Sequence, residues 1–150
     1  MIKTDVNIKT ITDMLNGVNS SIKNVLPLEL QIAKPTIMNL PLQLQFGVLI
    51  GVVGEVRGKI LFAGESAVFS GIASAMYGMA LEGDMLLSFS GELGNMLAAG
   101  ISTHMASQGV KTDITSPSVI EGDMKLSGFE RAYHIQVSCE NTGILHIYVL

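Results

Sequence analysis

The chain is poor in several residue types, and each scarcity excludes a class of protein. It contains one cysteine, Cys139, in 150 residues, so it has neither a disulfide framework nor a zinc knuckle. Lysine and arginine together number nine, against 13 aspartates and glutamates, which gives a net charge of -4. A nucleic-acid partner is therefore disfavoured, because contacts to phosphates need a basic face.

No apolar run is long enough to cross a bilayer. The longest is Phe46–Gly54, far short of the roughly 20 residues that a spanning helix needs. The first residues, Met1–Asp5, lead into a polar helix pattern without the apolar segment of a signal peptide. We therefore expect a cytoplasmic protein with no membrane insertion.

Apolar residues are nevertheless abundant. They make up 48% of the chain, and the mean hydropathy of +0.45 is high for a chain of this size. Because monomers rarely expose large apolar patches, this surplus predicts a homodimer joined through strand or sheet contacts. The nine methionines suit an adaptable interface, although core filling is the better explanation of their number.

The spacing of apolar residues predicts a single α+β domain over residues 1–150. We expect a mixed β-sheet of about six strands with three helices packed on one face. Helical periodicity and end signals predict helices at Asp5–Val25, Ser66–Tyr77 and Asp84–Ser107. Alternating or doubly apolar runs give the candidate strands, which are Leu28 to near Pro35, Leu42–Val53, Lys59–Ala63, Lys111–Thr115, Val119–Leu126, Tyr133–Cys139 and Ile144–Leu150.

The third predicted helix carries the most informative pattern. Ser88, Glu92 and Asn95 fall within an arc of about 60° at helical spacing, and apolar side chains crowd the opposite side. Gly91 and Ala99 flank this arc and leave the backbone easy to approach. An ordinary amphipathic helix covers its wet face with interchangeable charges. This sparse set of a hydroxyl, a carboxylate and a carboxamide therefore indicates a functional site.

The spacing Ser-x3-Glu-x2-Asn on one helix resembles the signature of the CheX and CheC family of chemotaxis phosphatases. The likeness is closest to the short CheX type, which has a single signature. In that family a proline follows some two dozen residues later, and Pro117 lies close to that place, one residue early. Gly51–Phe62 also resembles the family's central hairpin, and Met76–Gly78 resembles the end of its second helix.

The resemblance implies a phosphatase that hydrolyses the aspartyl phosphate of a CheY-like response regulator in chemotaxis. It gives Asn95 the task of orienting the attacking water and Glu92 that of pairing with the regulator's active-site lysine. Ser88, Gly91 and Ala99 are then expected to contact the partner. A carboxamide suits its task because it accepts a hydrogen bond from water and donates another to a phosphoryl oxygen. No cofactor or metal of its own is expected, since the response regulator holds Mg²⁺ beside its phosphoaspartate.

A second class of function stays open. The chain could instead be a non-catalytic module, either a response-regulator adaptor or a flagellar-switch-like interaction domain. The pair Glu92 and Asn95 favours the phosphatase, because a scaffold has no need of it. On the first helix Asp13 and Asn16 have similar spacing. They are either a relic of the doubled CheC signature or, more simply, a solvated helix face.

The remaining reactive side chains offer no competing site. His104 lies near the apolar side of its helix and is interpreted as a core or interface residue. His134 and His146 lie on predicted strands with no acid or nucleophile nearby in sequence, so no catalytic triad can be argued. Cys139 alternates with apolar strand residues and is predicted to lie in the core.

Overall fold

The computed structural model describes residues 8–39, 41–128 and 131–150. This part of the chain contains three helices, which are α1 (Ile8–Val25), α2 (Ser66–Tyr77) and α3 (Asp84–Ser107). It also contains eight strands, which are β1 (Leu30–Ile32), β2 (Thr36–Asn39), β3 (Leu42–Gly54), β4 (Gly58–Gly64), β5 (Thr112–Ile114), β6 (Ser118–Leu126), β7 (Arg131–Cys139) and β8 (Gly143–Val149).

The strands form one open sheet in the order β1-β7-β8-β4-β3-β5. Strand β2 pairs with β7 on the same edge as β1, and β6 pairs with β3 on the same edge as β5. Short turns join β3 to β4 and β7 to β8, which makes those neighbours antiparallel. The α2–α3 unit then carries the chain from β4 past β3 to the far edge. Strands β4 and β5 are therefore separated by β3, and every pairing among the described strands is antiparallel.

Local sequence explains where the helices form and end. In α1 the buried residues Met14, Val18 and Ile22 recur every fourth position, which gives the helix one apolar face. Helix α2 ends at Gly78, whose φ of 72° is left-handed and whose N–H bonds to the carbonyl of Ser74. A glycine adopts this conformation without the steric cost that a Cβ brings.

The core lies between the sheet and the helices. All three helices and the inward positions of four strands contribute to it, among them Val48 and Ile50 of β3, Ile60 of β4 and Ile147 of β8. A smaller apolar cluster covers the opposite face of the sheet. Both faces of β3 and β4 contact apolar side chains. The sequences of these central strands are therefore largely apolar runs, with little alternation of apolar and polar residues.

Close packing fixes how α3 lies on the sheet. A Cβ at Gly94 would come within 2.6 Å of Cγ1 of Val48, so only glycine allows this approach. Where α3 packs against α1, the Oγ of Ser21 on α1 donates a 2.7 Å hydrogen bond to the carbonyl of Leu97 on α3. These two contacts set the rotation of α3 about its axis, and the rotation decides which side chains face outward.

The expected α+β class with three helices is confirmed. The predicted bounds of α2 and α3 match the structure, while the predicted start of α1 at Asp5 lies outside the described residues. The sheet differs in detail, with eight described strands where about six were expected and antiparallel pairing where a mixed sheet was expected. Strand β2 was not predicted. It lies between Pro35 and Pro41 on the sheet edge, and its residues show no alternation of buried and exposed positions because most of them are exposed.

Candidate active site on helix α3

The outward face of α3 carries the predicted polar stripe, which comprises Ser88, Glu92 and Asn95. Ser88 and Glu92 are exposed, and Asn95 is partly exposed. Within the described part of the chain, none of the three side chains forms a hydrogen bond or ion pair with another residue. Their polar atoms are therefore free to bind a molecule that approaches from solvent.

The inward face explains why the stripe is held rigidly. Leu93, Leu97 and Ile101 are at most 2% exposed and belong to the main core. Full burial of an aliphatic side chain stabilises a fold by roughly 1.5–3 kcal/mol. Three such anchors on one helix keep the opposite, polar face in a fixed place.

The structure gives two of the expected partner-contact residues different surroundings. Ala99 is exposed about one turn beyond Asn95, so it can meet a partner. Gly91 is buried, and a Cβ there would lie 3.4 Å from Val119 and 3.8 Å from Pro117. Gly91 therefore packs closely against the start of β6 and the segment around Pro117, and its contact with a partner stays a prediction.

Pro117 borders the candidate site, although it is distant in sequence. It lies against Gly91 on α3, and Gly91 occupies the side of the helix next to Asn95 at about 100° per residue. Just before Pro117, the Oγ1 of Thr115 accepts a 2.8 Å hydrogen bond from the N–H of Gly51. The segment around Pro117 is thus tied to the sheet beside the stripe, a neighbourhood that spacing along the chain cannot reveal.

The stripe lies outside the concave surface beside β3 and β6. A cavity of about 800 Å³ lies between β3, β6 and the β4–α2 junction, where its lining includes Gln43, Glu65 and Asp123. No residue of α3 lines that cavity. Since small-molecule sites are concave, the stripe suits a macromolecular partner that supplies its own reacting group.

The second carboxylate–carboxamide pair lies in a different environment. Asp13 on α1 is only 8% exposed, and its Oδ2 lies 2.8 Å from the Nζ of Lys9. Asn16 is exposed on another side of the same helix. The two side chains do not share an open face, so they form no counterpart of the stripe.

The three histidines are placed away from the stripe or within packing interfaces. His104 is half-buried, and its ring lies where a Cβ on Gly17 of α1 would come within 3.3 Å. Nε2 of His134 lies 2.9 Å from Nδ1 of His146, and the ring of Tyr148 stacks on His134 at a centroid distance of 4.7 Å. This cluster lies on the sheet face opposite the helices.

Burial shifts the pKa values of His134, His146 and Cys139. It lowers the pKa of His134, with a smaller effect in the same direction from His146, and it also lowers the pKa of His146. Burial raises the pKa of the Cys139 thiol, and a thiol is a poor nucleophile. Cys139 therefore has the predicted core position and no sign of reactivity.

Neither a resident metal site nor a membrane span emerges from the described residues. Over those ranges, no group of three or more His, Cys, Asp and Glu residues could hold a metal ion. Among the described helices, none combines the length and the apolar character needed to cross a membrane.

The fold and the site define a class of protein, namely an α+β domain that displays an unpaired carboxylate and carboxamide on the exposed face of a well-anchored helix. Comparison with known families identifies the family within this class. The family described as "Chemotaxis phosphatase CheX" matches residues 46–136, a range that includes the whole stripe. The chain belongs to the CheX family.

Individual relatives agree with this assignment over nearly the full length. The chain is 29% identical over 149 residues to the "CheY-P phosphatase CheX" of Thermotoga maritima, and the match covers 94% of this chain and 96% of that protein. A chemotaxis protein CheX from Desulfovibrio desulfuricans has a similar structure, with a TM-score of 0.80, 16% identity and coverage of 95% and 99%.

A third relative was solved with a partner. It is the CheX–CheY–BeF3–Mg²⁺ complex from Borrelia burgdorferi, with a TM-score of 0.78, 22% identity, and coverage of 95% of this chain and 97% of that one. At identities of this level the two structures support the shared fold.

Proposed function

We propose that this chain is a phosphatase that hydrolyses the aspartyl phosphate of a CheY-like response regulator. The observation that carries the proposal is the exposed, unpaired stripe of Ser88, Glu92 and Asn95 on α3 in a member of the CheX family. The names of two relatives support it, since one is a CheY-P phosphatase and another was solved in complex with CheY. The assignment of residues 1–150 to a single phosphatase domain is part of the proposal.

Asn95 is the residue to which we assign the orientation of the attacking water. Its carbonyl oxygen accepts a hydrogen bond from the water, and its amide N–H donates to a phosphoryl oxygen. Hydrolysis of an acyl phosphate needs little more than an in-line water and stabilisation of the developing charge. A partly exposed carboxamide on a rigid helix meets that need.

Glu92 is the residue to which we assign partner pairing. Its carboxylate lies one turn before Asn95 and has no ion-pair partner among the described residues. A lysine beside the partner's phosphoaspartate would supply the missing cation. Such a charge-assisted contact contributes about 1.5–3 kcal/mol. Ser88 and Ala99 would contact the partner at the two ends of the same face.

The metal in this reaction belongs to the partner. The Borrelia complex contains Mg²⁺ together with CheY and BeF3, which supports a metal held by the response regulator. Mg²⁺ supplies charge neutralisation at the phosphoryl group, while this chain supplies the water and the ion pair.

The test is the decay of acyl phosphate on a purified CheY-like receiver domain. The receiver is phosphorylated with a small-molecule donor, the donor is removed, and loss of phosphate is followed with and without this chain in Mg²⁺ buffer. Acceleration over spontaneous decay is expected. Binding of the phosphorylated receiver without any acceleration would favour the non-catalytic adaptor or switch-like module instead.

We also propose a homodimer that works in the cytoplasm. Among the described strands, no further strand pairs with either edge of the sheet, and Ile37 on edge strand β2 is 56% exposed. Apolar side chains on an open edge favour association. Light scattering at micromolar concentration should give twice the chain mass of 16.0 kDa, and a mass equal to one chain would contradict the dimer. The cytoplasmic location is inferred from the proposed substrate, a signalling phosphoprotein.

A further inference from the structure

Exposed apolar side chains concentrate at one corner of the molecule. Among the described residues, three large apolar side chains with high exposure lie within the short stretch from the end of α2 to the start of α3. They are Tyr77 at 58%, Met79 at 57% and Met85 at 62%. We call these three residues the methionine corner. The other such side chains are scattered over α1, β2, β3 and β8, namely Ile8, Ile37, Val53 and Ile144.

The corner is held in place by the fold. The ring of Tyr77 meets the ring of buried Phe89 edge-on, with centroids 5.7 Å apart and planes at 81°. The Oγ of Ser70 donates a 3.3 Å hydrogen bond to the carbonyl of Leu81, and Leu81 itself packs against the main core. The exposure of the corner is thus a property of an ordered segment, and a partner would meet a preformed surface.

The corner continues directly into the polar stripe. Met85 lies one turn before Ser88 and two turns before Glu92, and at about 100° per residue these three positions share one face of α3. On the other side of the stripe, Pro117 packs against Gly91. The stripe therefore lies between an apolar corner and a proline. A partner that contacts Glu92 also comes close to Met85.

We propose that the methionine corner is the specificity surface by which this chain selects its receiver domain. The partner patch would be apolar and would lie next to the phosphoaspartate, with cations around it. This inference rests on the proposed function, because it assigns the corner to the same partner. Exposed carboxylates of Glu82 and Asp84 border the corner, which is why the partner patch should have a basic rim.

The chemistry of the corner suits selection of a partner. Methionine side chains adapt to irregular apolar surfaces, and a few well-packed contacts carry most of an interface's free energy. Met85 lies ten residues before Asn95 on α3, which is nearly three helical turns. The corner is therefore distant from the reacting atoms, and its contacts stabilise the ground state and the transition state equally. Loss of such uniform binding weakens affinity and leaves the rate at saturation unchanged.

The experiment compares the double variant Met79→Gln/Met85→Gln with the control Ile8→Gln. Ile8 is also an exposed apolar side chain, at 83%, but it lies at the start of α1, outside the corner and outside the sheet edges. Binding to a receiver domain activated with beryllofluoride is measured by calorimetry, and single-turnover dephosphorylation is measured at saturation. We expect at least a roughly tenfold rise in Kd for the double variant, an unchanged saturating rate, and wild-type behaviour for Ile8→Gln.

Three other outcomes would overturn the corner as a docking surface, and one of them would overturn the proposed function as well. Equal affinity of the double variant and the control would overturn the corner as a docking surface while the phosphatase proposal stands. Loss of rate with unchanged affinity would likewise overturn it, because the corner would then act on catalysis. A wild-type chain that neither binds nor dephosphorylates the receiver would overturn the proposed function together with the corner.

Discussion

Helices α1 and α3 pack against each other, and each carries a carboxylate followed three residues later by an asparagine. The residue four positions before the carboxylate differs between them. On α1 it is Lys9, which pairs with Asp13 at 2.8 Å, whereas on α3 it is Ser88, which leaves Glu92 unpaired. The spacing of a carboxylate and an asparagine on a helix is therefore not enough to form a binding site. The carboxylate must also be free of an ion pair within its own helix.

The largest expected effect tests the packing that exposes the stripe. Gly94→Ala should destabilise the fold by about 1–3 kcal/mol, because the new Cβ would meet Val48 at 2.6 Å. Gly91→Ala on the same helix is the matched control. Its Cβ would make an ordinary contact at 3.4 Å, so the variant should lose no stability and should gain up to about 1 kcal/mol from helix propensity. Urea unfolding of both variants measures the difference, and equal stabilities would show that α3 does not pack this closely on β3.

The next effect concerns the two carboxylates directly. Glu92→Gln keeps the shape of the side chain but removes the charge, so binding or turnover should fall about ten- to a hundredfold. Asp13→Asn is the matched change on α1. It should leave turnover intact and lower stability by no more than about 0.5 kcal/mol, because Lys9 is 68% exposed and its ion pair is screened by water. If Asp13→Asn reduced turnover as much as Glu92→Gln, the two helices would not differ in the way described.

A smaller effect follows from transplanting the α1 arrangement onto α3. Ser88→Lys places a cation one turn before Glu92, as Lys9 stands before Asp13. An exposed pair at this spacing is worth roughly 0.2–1 kcal/mol, so turnover should fall by up to about fivefold. The loss should shrink at high salt, and Ser88→Gln separates charge from bulk. An equal, salt-independent loss with Gln would assign the effect to bulk and not to neutralisation of Glu92.

Much of the fold was predictable because local signals agreed with tertiary packing. Helix α3 was predicted with its observed bounds, Asp84–Ser107, since its apolar periodicity persists over its whole length. Strand β2 was not predicted, because its pairing with β7 depends on a strand almost a hundred residues later. The antiparallel character of the sheet likewise depends on where the α2–α3 unit returns the chain, which no local pattern specifies.

The candidate site shows the same division. The shared face of Ser88, Glu92 and Asn95 follows from helical geometry, and the structure places these residues on the outward side of α3. The burial of Gly91 against Pro117 could not be foreseen, because it is a contact between elements distant in sequence. The pairing of Asp13 with Lys9 had a local signal, their i, i+4 spacing, but spacing does not reveal that Asp13 is buried.

Asn95 is the residue on which the proposed mechanism depends most, because we assign it to positioning the attacking water and not to holding the partner. The most direct measurement is Asn95→Ala, with affinity for the phosphorylated receiver and single-turnover dephosphorylation determined on the same preparation. We expect the rate to fall to the spontaneous decay of the acyl phosphate, while affinity and melting temperature stay close to those of the wild type. A variant that still accelerates decay as the wild type does, or that loses affinity in proportion to rate, would contradict it.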